Sequence, residues 1–252
     1  MIKKITLAAF TIAMLIAPLS LSAAEHRVVD IVATMDSLYR SESSRAEMKM
    51  VVENPHWERT LTMVAWSEGM DRTFIRIESP KKEKGTATLR VGNEMWNYLP
   101  KTDKVMKIPP SMMMGSWMGS DFTNDDLVKE TSMMEEYTHE IIRPEGAEDD
   151  MVYVESVPKE DTPSVWGKIV TAVREEDYLP VWQKFYEEGG ELTRIMNYKS
   201  IQEMDGREIP TVMELIPQNK EGHRTVIEYI DVEFDVDIDP EIFSLRNLKR
   251  KG

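Results

Sequence analysis

The chain has 252 residues, 41% hydrophobic and 30% charged, a balance that supports a packed core over a disordered chain. It contains no cysteine, which excludes disulfides, a thiol nucleophile, Cys-ligated zinc or iron–sulfur sites and lipidation on cysteine. A formal charge of −14 argues against nucleic acid and against electrostatic adhesion to an anionic membrane. Lys3 and Lys4 precede an apolar run over residues 5–16, Pro18 ends it, and Ser22-Ala23-Ala24 supplies the small residues a signal peptidase reads. The run is well short of the ~20 residues needed to span a bilayer. Residues 1–24 are therefore expected to be a secretory signal peptide cleaved before Glu25, and the mature chain a bacterial periplasmic protein. With no cysteine at that junction, the chain is not itself a lipoprotein. No Gly/Ser-rich or Pro-rich linker follows, so residues 25–252 are expected to form a single domain.

Residues 26–40 show helical spacing: Val28, Ile31, Val32, Met35, Leu38 and Tyr39 make one apolar stripe. The period then changes to two. Short segments rich in β-branched and aromatic residues fall near 45–53, 57–67, 71–79, 86–92, 94–100 and 103–108, separated by turn residues. Pro109-Pro110 stops this series. The segment 111–136 has no alternation, and a short helix or two is expected within 121–136. Strands are expected again near 138–143, 151–157, 165–174, 179–187, 192–200, 208–216 and 223–236, with a helical turn docking Phe243 at the end. The fold class is mainly β with some α: a half-open antiparallel barrel with an N-terminal helix and a central helical or loop lid.

Motifs for catalysis are absent. His26, His56, His139 and His223 sit at no metal-ligand spacing and beside no nucleophile motif, and no phosphate- or dinucleotide-binding fingerprint occurs. No cofactor or metal is expected, and the chain is not expected to be an enzyme. The ladder Asp231, Glu233, Asp235, Asp237, Asp239 reads as the solvated face of a strand, because alternate residues lie too far apart to share one calcium ion. Asn124 or Asp121 is expected to cap a helix. Methionine is over-represented, with Met112, Met113, Met114 and Met118 between hinge-like Gly115 and Gly119 or beside them. Core filling, an adaptable apolar ligand surface and a thioether Cu(I) site are the three readings. Strands carrying Trp57, Trp66, Trp96, Trp166 and Trp182 are apolar on both faces, so at least one face must be covered or filled. The basic clusters at 81–84 and at Arg246, Lys249, Arg250 and Lys251 are either solvated or dock an acidic partner.

The order of these segments resembles the LolA-like superfamily of periplasmic outer-membrane lipoprotein-sorting proteins. The residues that carry the resemblance are Arg45-Ala46-Glu47-Met48, Phe74-Ile75-Arg76-Ile77-Glu78-Ser79-Pro80, Ile242-Phe243-Ser244, and above all Gly92, Trp96, Tyr98 and Pro100 of a Gly-x-x-x-Trp-x-Tyr-x-Pro element. The resemblance implies a concave apolar face, capped by helices, that binds acyl chains of lipoproteins or other lipids. It implies loading by an inner-membrane transporter of ABC or RND type and delivery to an outer-membrane acceptor, by a monomer acting as a chaperone. The alternative within the same fold is a regulatory module that binds a protein partner. The expected cavity or lid residues are Trp66, Trp96, Tyr98, Met112, Met113, Trp117, Met118 and Phe122. Glutamate in place of Met113 and Trp117 is expected to abolish lipid binding and leave the fold intact. Arg72 is the nearest candidate for the arginine that holds the lid in this family. The chain departs from the family's usual carrier in its greater length and in the Met-rich insert at 111–127.

Overall fold

The computed structural model describes residues 17–128, 133–162 and 164–250. Residues 1–16 of the expected signal peptide and Lys251 of the basic tail lie outside them. Helix α1 (Ala17–Ser37) starts earlier than the periodicity indicates, inside the expected signal peptide. Its Val28, Ile31 and Val32 are buried against Val152, Val154 and Val173, which accounts for the stripe.

Six strands follow: β1 (Ser43–Asn54), β2 (Trp57–Glu68), β3 (Arg72–Ser79), β4 (Ala87–Val91), β5 (Glu94–Leu99) and β6 (Lys104–Lys107). After the insert come β7 (Tyr137–Ile142), β8 (Met151–Pro158), β9 (Lys168–Arg174), β10 (Pro180–Tyr186), β11 (Leu192–Met204), β12 (Arg207–Pro217) and β13 (Arg224–Phe234). The insert carries a 3-10 turn at Pro110–Met112 and two short helices, α2 (Asn124–Val128) and α3 (Met133–Glu136). A second 3-10 turn, Pro240–Phe243, and α4 (Leu245–Leu248) complete the described chain. All the expected strands are present, with ends displaced by a few residues.

The strands form one 13-stranded antiparallel sheet in the order β6-β5-β4-β3-β2-β1-β13-β12-β11-β10-β9-β8-β7. The sheet is not closed. It is two meanders joined in the middle by pairing of β1 with β13. A twisted sheet this wide curls instead of lying flat. Its edges are β6 and β7, which are consecutive in the sequence, so the segment between them has to cross from one rim to the other. Lysines at both ends of β6 guard that edge against further pairing.

Alternation sorts the side chains. On β1, Ala46, Met48, Met50 and Val52 point into the concavity. Arg45 and Lys49 point out and pair with Glu233 and Glu228 of β13. The acidic ladder is therefore a solvated face, with Val232 and Phe234 buried between its members. On the convex side of β2–β5, Phe74, Leu89 and Tyr98 are covered by Phe243 and Leu248 of the C-terminal segment. Arg76 helps hold that segment: its guanidinium lies 4.8 Å from the Phe74 ring centre and donates to the Asn247 carbonyl at 2.7 Å. Burial lowers the pKa of this guanidinium from its ordinary value.

Phe243→Ala should cost about 3–5 kcal/mol, because it leaves a cavity against Phe74 and Tyr98. Urea denaturation checks this: the midpoint should fall with little change in slope.

Candidate functional site

The concave face is roofed in two parts. The C-terminal end of α1 supplies Met35 and Asp36, the residues just after it supply Tyr39 and Arg40, and the insert supplies Trp117, Phe122, Asp126 and Leu127. Between roof and sheet lies a cavity of about 430 Å³. That is within the range of small-molecule sites, roughly 300–1,000 Å³. Its walls are mainly apolar. Met48, Met63, Met196 and Met213 reach it from four strands, with Met35 from the helix. Unbranched thioether side chains suit ligands of variable shape. Tyr39 stacks on Tyr229, with ring centres 5.3 Å apart, and its hydroxyl donates to the Pro210 carbonyl at 2.6 Å. Burial, with Tyr229 nearby, pushes the Tyr39 pKa up, so it stays a neutral donor.

The insert enters as a small hairpin. Ser116 bridges Thr123, and the Trp117 amide donates to the Phe122 carbonyl at 2.8 Å. Met118 (φ 49°) and Gly119 (φ 72°) form its tip, both left-handed as a type I′ turn requires. Glycine suits 119 because its left-handed φ is strained for other residues; the Arg59 guanidinium, 3.4 Å from where a Cβ would lie, would only be in ordinary contact with it. This turn drives Trp117 and Phe122 into the concavity as a wedge. The Trp117 indole donates to the Thr88 hydroxyl on β4 at 3.1 Å.

Polar contacts pin the wedge. Arg194 on β11 makes a two-pronged pair with Asp126, both bonds 2.8 Å. Its guanidinium also lies 4.4 Å from the Trp166 ring centre and 4.3 Å from that of Phe185. Thr123 caps α2: its hydroxyl accepts from the Asp126 amide, and the Asp126 carboxylate accepts from the Thr123 amide. The cap is thus Thr123, not Asn124 or Asp121. Asp121 instead accepts from the Thr225 hydroxyl at 2.9 Å and ties the hairpin to β13. Arg59 on β2 donates to the Met118 carbonyl. Burial opposes ionisation of Asp126, but Arg194 and the Thr123 donors outweigh it and hold the carboxyl below its ordinary range. Arg194 also lines a shallower depression on the outer side of the insert, beside Met114, Trp166 and Lys220.

Of the residues expected from the sequence, Trp117 and Phe122 line the cavity. Met113 and Met118 pack against the concave core. Met112 is 54% exposed and faces solvent. Trp66, Trp96 and Tyr98 lie elsewhere, in the convex cluster under the C-terminal segment. The reason is alternation: on β5 it is Met95 that faces inward, and on β2 it is Met63 and Ala65. Arg72 pairs with Glu68 at the end of its own hairpin, at 2.6 Å. The insert is held by Arg194 and Arg59 instead. Trp117 is 2% exposed and hydrogen-bonded, so glutamate there would damage the fold as well as the cavity. The missed residues had a signal: Arg194 shares a strand face with Met196 and Tyr198, and a charge within an apolar stripe needs a buried partner.

Asp126→Asn leaves the Arg194 charge buried without its counter-ion and should cost about 3–5 kcal/mol. Asp126→Leu with Arg194→Met should recover most of that. Chemical denaturation of the three proteins measures both effects. The Asp126 carboxyl is more acidic folded than unfolded, so its contribution is complete above pH ~4 and is lost as pH falls further. Limited proteolysis of the insert should accelerate below pH ~4 in the parent and lose most of that dependence in the Asn variant.

A family model described only as that of an uncharacterized protein matches residues 69–250. No curated protein matches the chain in sequence. Among solved structures, a DUF1329 family protein from Desulfovibrio piger superposes with a TM-score of 0.78 at 23% identity, over 89% of this chain and 99% of that one. A domain described as that of an outer membrane lipoprotein-sorting protein from Vibrio parahaemolyticus gives 0.74 at 23% identity, over 89% and 99%. A LolA superfamily protein from Nitrosomonas europaea gives 0.71 at 20% identity, over 87% and 98%. The chain belongs to the family whose model covers residues 69–250, and its fold is LolA-like.

Proposed function

We propose that this protein is a periplasmic carrier that binds the acyl chains of lipoproteins or other lipids and ferries them from an inner-membrane transporter toward the outer membrane. The observation that carries the reading is the roofed, methionine-lined cavity of about 430 Å³. Burying one methylene contributes about 0.8 kcal/mol, so ten contribute roughly 8 kcal/mol before the cost of ordering the chain. Such a site works by exclusion of water and needs no catalytic group. The acidic groups around it serve structural pairs, as Asp126 does with Arg194. The likeness in fold to the lipoprotein-sorting domain from Vibrio parahaemolyticus supports the same reading. Residues 1–24 act in this scheme as the export signal, and residues 25–252 as one lipid-binding domain.

The test is mass spectrometry of an organic extract from protein purified from periplasm without detergent. Lipid near one equivalent is expected. Ala65, a small residue on the cavity floor, offers the control. Ala65→Phe should fill the cavity and reduce bound lipid at least tenfold, with an overpacking cost of about 1–3 kcal/mol at most. Unaltered lipid content in that variant would remove the cavity from the account.

A further inference from the structure

We infer that the depression on the outer side of the insert is a docking groove for a basic, apolar segment of a partner protein, and that a seated segment holds the insert in place. The inference stands apart from the carrier reading and concerns a second surface. Four parts of the chain wall the groove. Met114 comes from the insert, Val165 and Trp166 from the loop before β9, Glu187 and Glu188 from the turn after β10, and Lys220 from the loop after β12.

Apolar exposure on a rigid frame is the first observation. Met114 is 50% exposed and Val165 36%, and both line this groove. Large apolar side chains gathered at one open place mark contact surfaces. The backbone beneath Met114 is fixed: the Met112 carbonyl accepts from the Asn124 side-chain amide at 3.0 Å, and the Met113 carbonyl from the Asp125 amide at 2.8 Å. Met113 packs inward and Met114 is left outside. On the opposite wall, Gly167 brings two loops together. Its amide donates to the Tyr186 carbonyl at 2.9 Å, and a Cβ there would lie 2.7 Å from the Glu187 carbonyl oxygen. Only glycine fits, and the close approach sets Val165 and Trp166 beside Glu187 and Glu188. A groove formed in advance lowers the ordering cost of binding.

Charge is the second observation. The charged residues on the groove are Asp121, Glu187, Glu188, Arg194 and Lys220. Arg194 is taken by Asp126, and Lys220 lies 3.8 Å from Asp121, which His223 also approaches at 3.7 Å. Glu187 and Glu188 are exposed and, among the described residues, make no ion pair. The charge left uncompensated is therefore negative. Apolar side chains beside free carboxylates fit a segment that combines apolar residues with lysine or arginine. The same carboxylates repel an anionic membrane, and a second copy of a chain with a formal charge of −14 is repelled as well.

Position is the third observation. Met114, Asp121 and Thr123 belong to the insert, whereas the other walls belong to the sheet and its end loops. The groove exists only while the insert is seated, so an occupant binds the seated form and stabilises it.

Phage display of random peptides on the purified protein tests the proposal. Enriched peptides are expected to combine lysine or arginine with large apolar residues. As labelled free peptides, they should bind at least about tenfold more weakly to Glu187→Lys with Glu188→Lys. The same change at Glu145 and Glu148, exposed at the opposite end of β8, should alter binding by less than about twofold. The Asp121 amide donates to the Thr225 hydroxyl of β13 and so reports seating of the insert. At about 100 times its Kd, the peptide should slow hydrogen exchange there by up to about a hundredfold. Enrichment of no peptide, enrichment of neutral or acidic ones, equal binding by the two charge variants, or unchanged exchange at Asp121 would overturn the inference. Flotation with phosphatidylethanolamine–phosphatidylglycerol vesicles, or dimerisation, that Val165→Asp abolishes would give the groove to a membrane or a second copy and overturn it too.

Discussion

The two edges of the sheet are neighbours in the sequence, and that constraint organises the molecule. A chain that leaves one rim at β6 and re-enters at the other rim as β7 must span the concavity. The crossing segment cannot leave its backbone groups unpaired under a roof, so it makes its own local bonds: a 3-10 turn, a two-rung hairpin and a capped helical turn. Those bonds aim Trp117 and Phe122 inward. The lid is thus a consequence of the strand order, and only its chemistry is open to variation.

The sheet is apolar on both faces, and each face is dealt with differently. The convex face is closed by the chain's own C-terminal segment, a dense aromatic contact with Phe243 and Leu248 at its centre. The concave face is closed at its ends, by α1 over β8 and β9 and by the insert over β9 to β12. The middle is left unfilled. A monomer gains nothing in stability from an apolar void, since the lining atoms lose their contacts. The buried Arg194–Asp126 pair belongs to the same economy. Such pairs are weak sources of stability but strong sources of position, and here the position is that of the roof.

Much of this architecture was legible in the residues. Alternation and turn residues located the strands, and the break after Pro109-Pro110 marked the insert. What alternation alone left open was which face of each strand is inner. Trp96 and Tyr98 share one face of β5 and Met95 lies on the other; the aromatic face packs on the closed convex side, and Met95 faces inward. Arg72 stands next to a turn, and position alone points to it as the lid-holding arginine. The residue that holds the insert, Arg194, lies over a hundred positions away in another meander, paired by a contact that only the curled sheet creates. The start of α1 escaped for a simpler reason: the apolar leader and the amphipathic stripe are both compatible with helix, and no breaker separates Ser22 from His26.

The pairing of β1 with β13 has a consequence for the life of the chain before it is folded. Each meander is built from neighbours and forms from local contacts, but the seam between them joins Arg45 to Glu233 across 188 residues. Contacts of that separation carry a large loop-closure cost and form late. A chain made from its N-terminus exposes β1 long before β13 emerges. Until then the inner methionines of β1 and β2 have no opposite wall. The cavity therefore comes into being only with the last strand, since its walls include Ile227, Tyr229, Val232 and Phe234 of β13 and the residues after it in sequence order close nothing further.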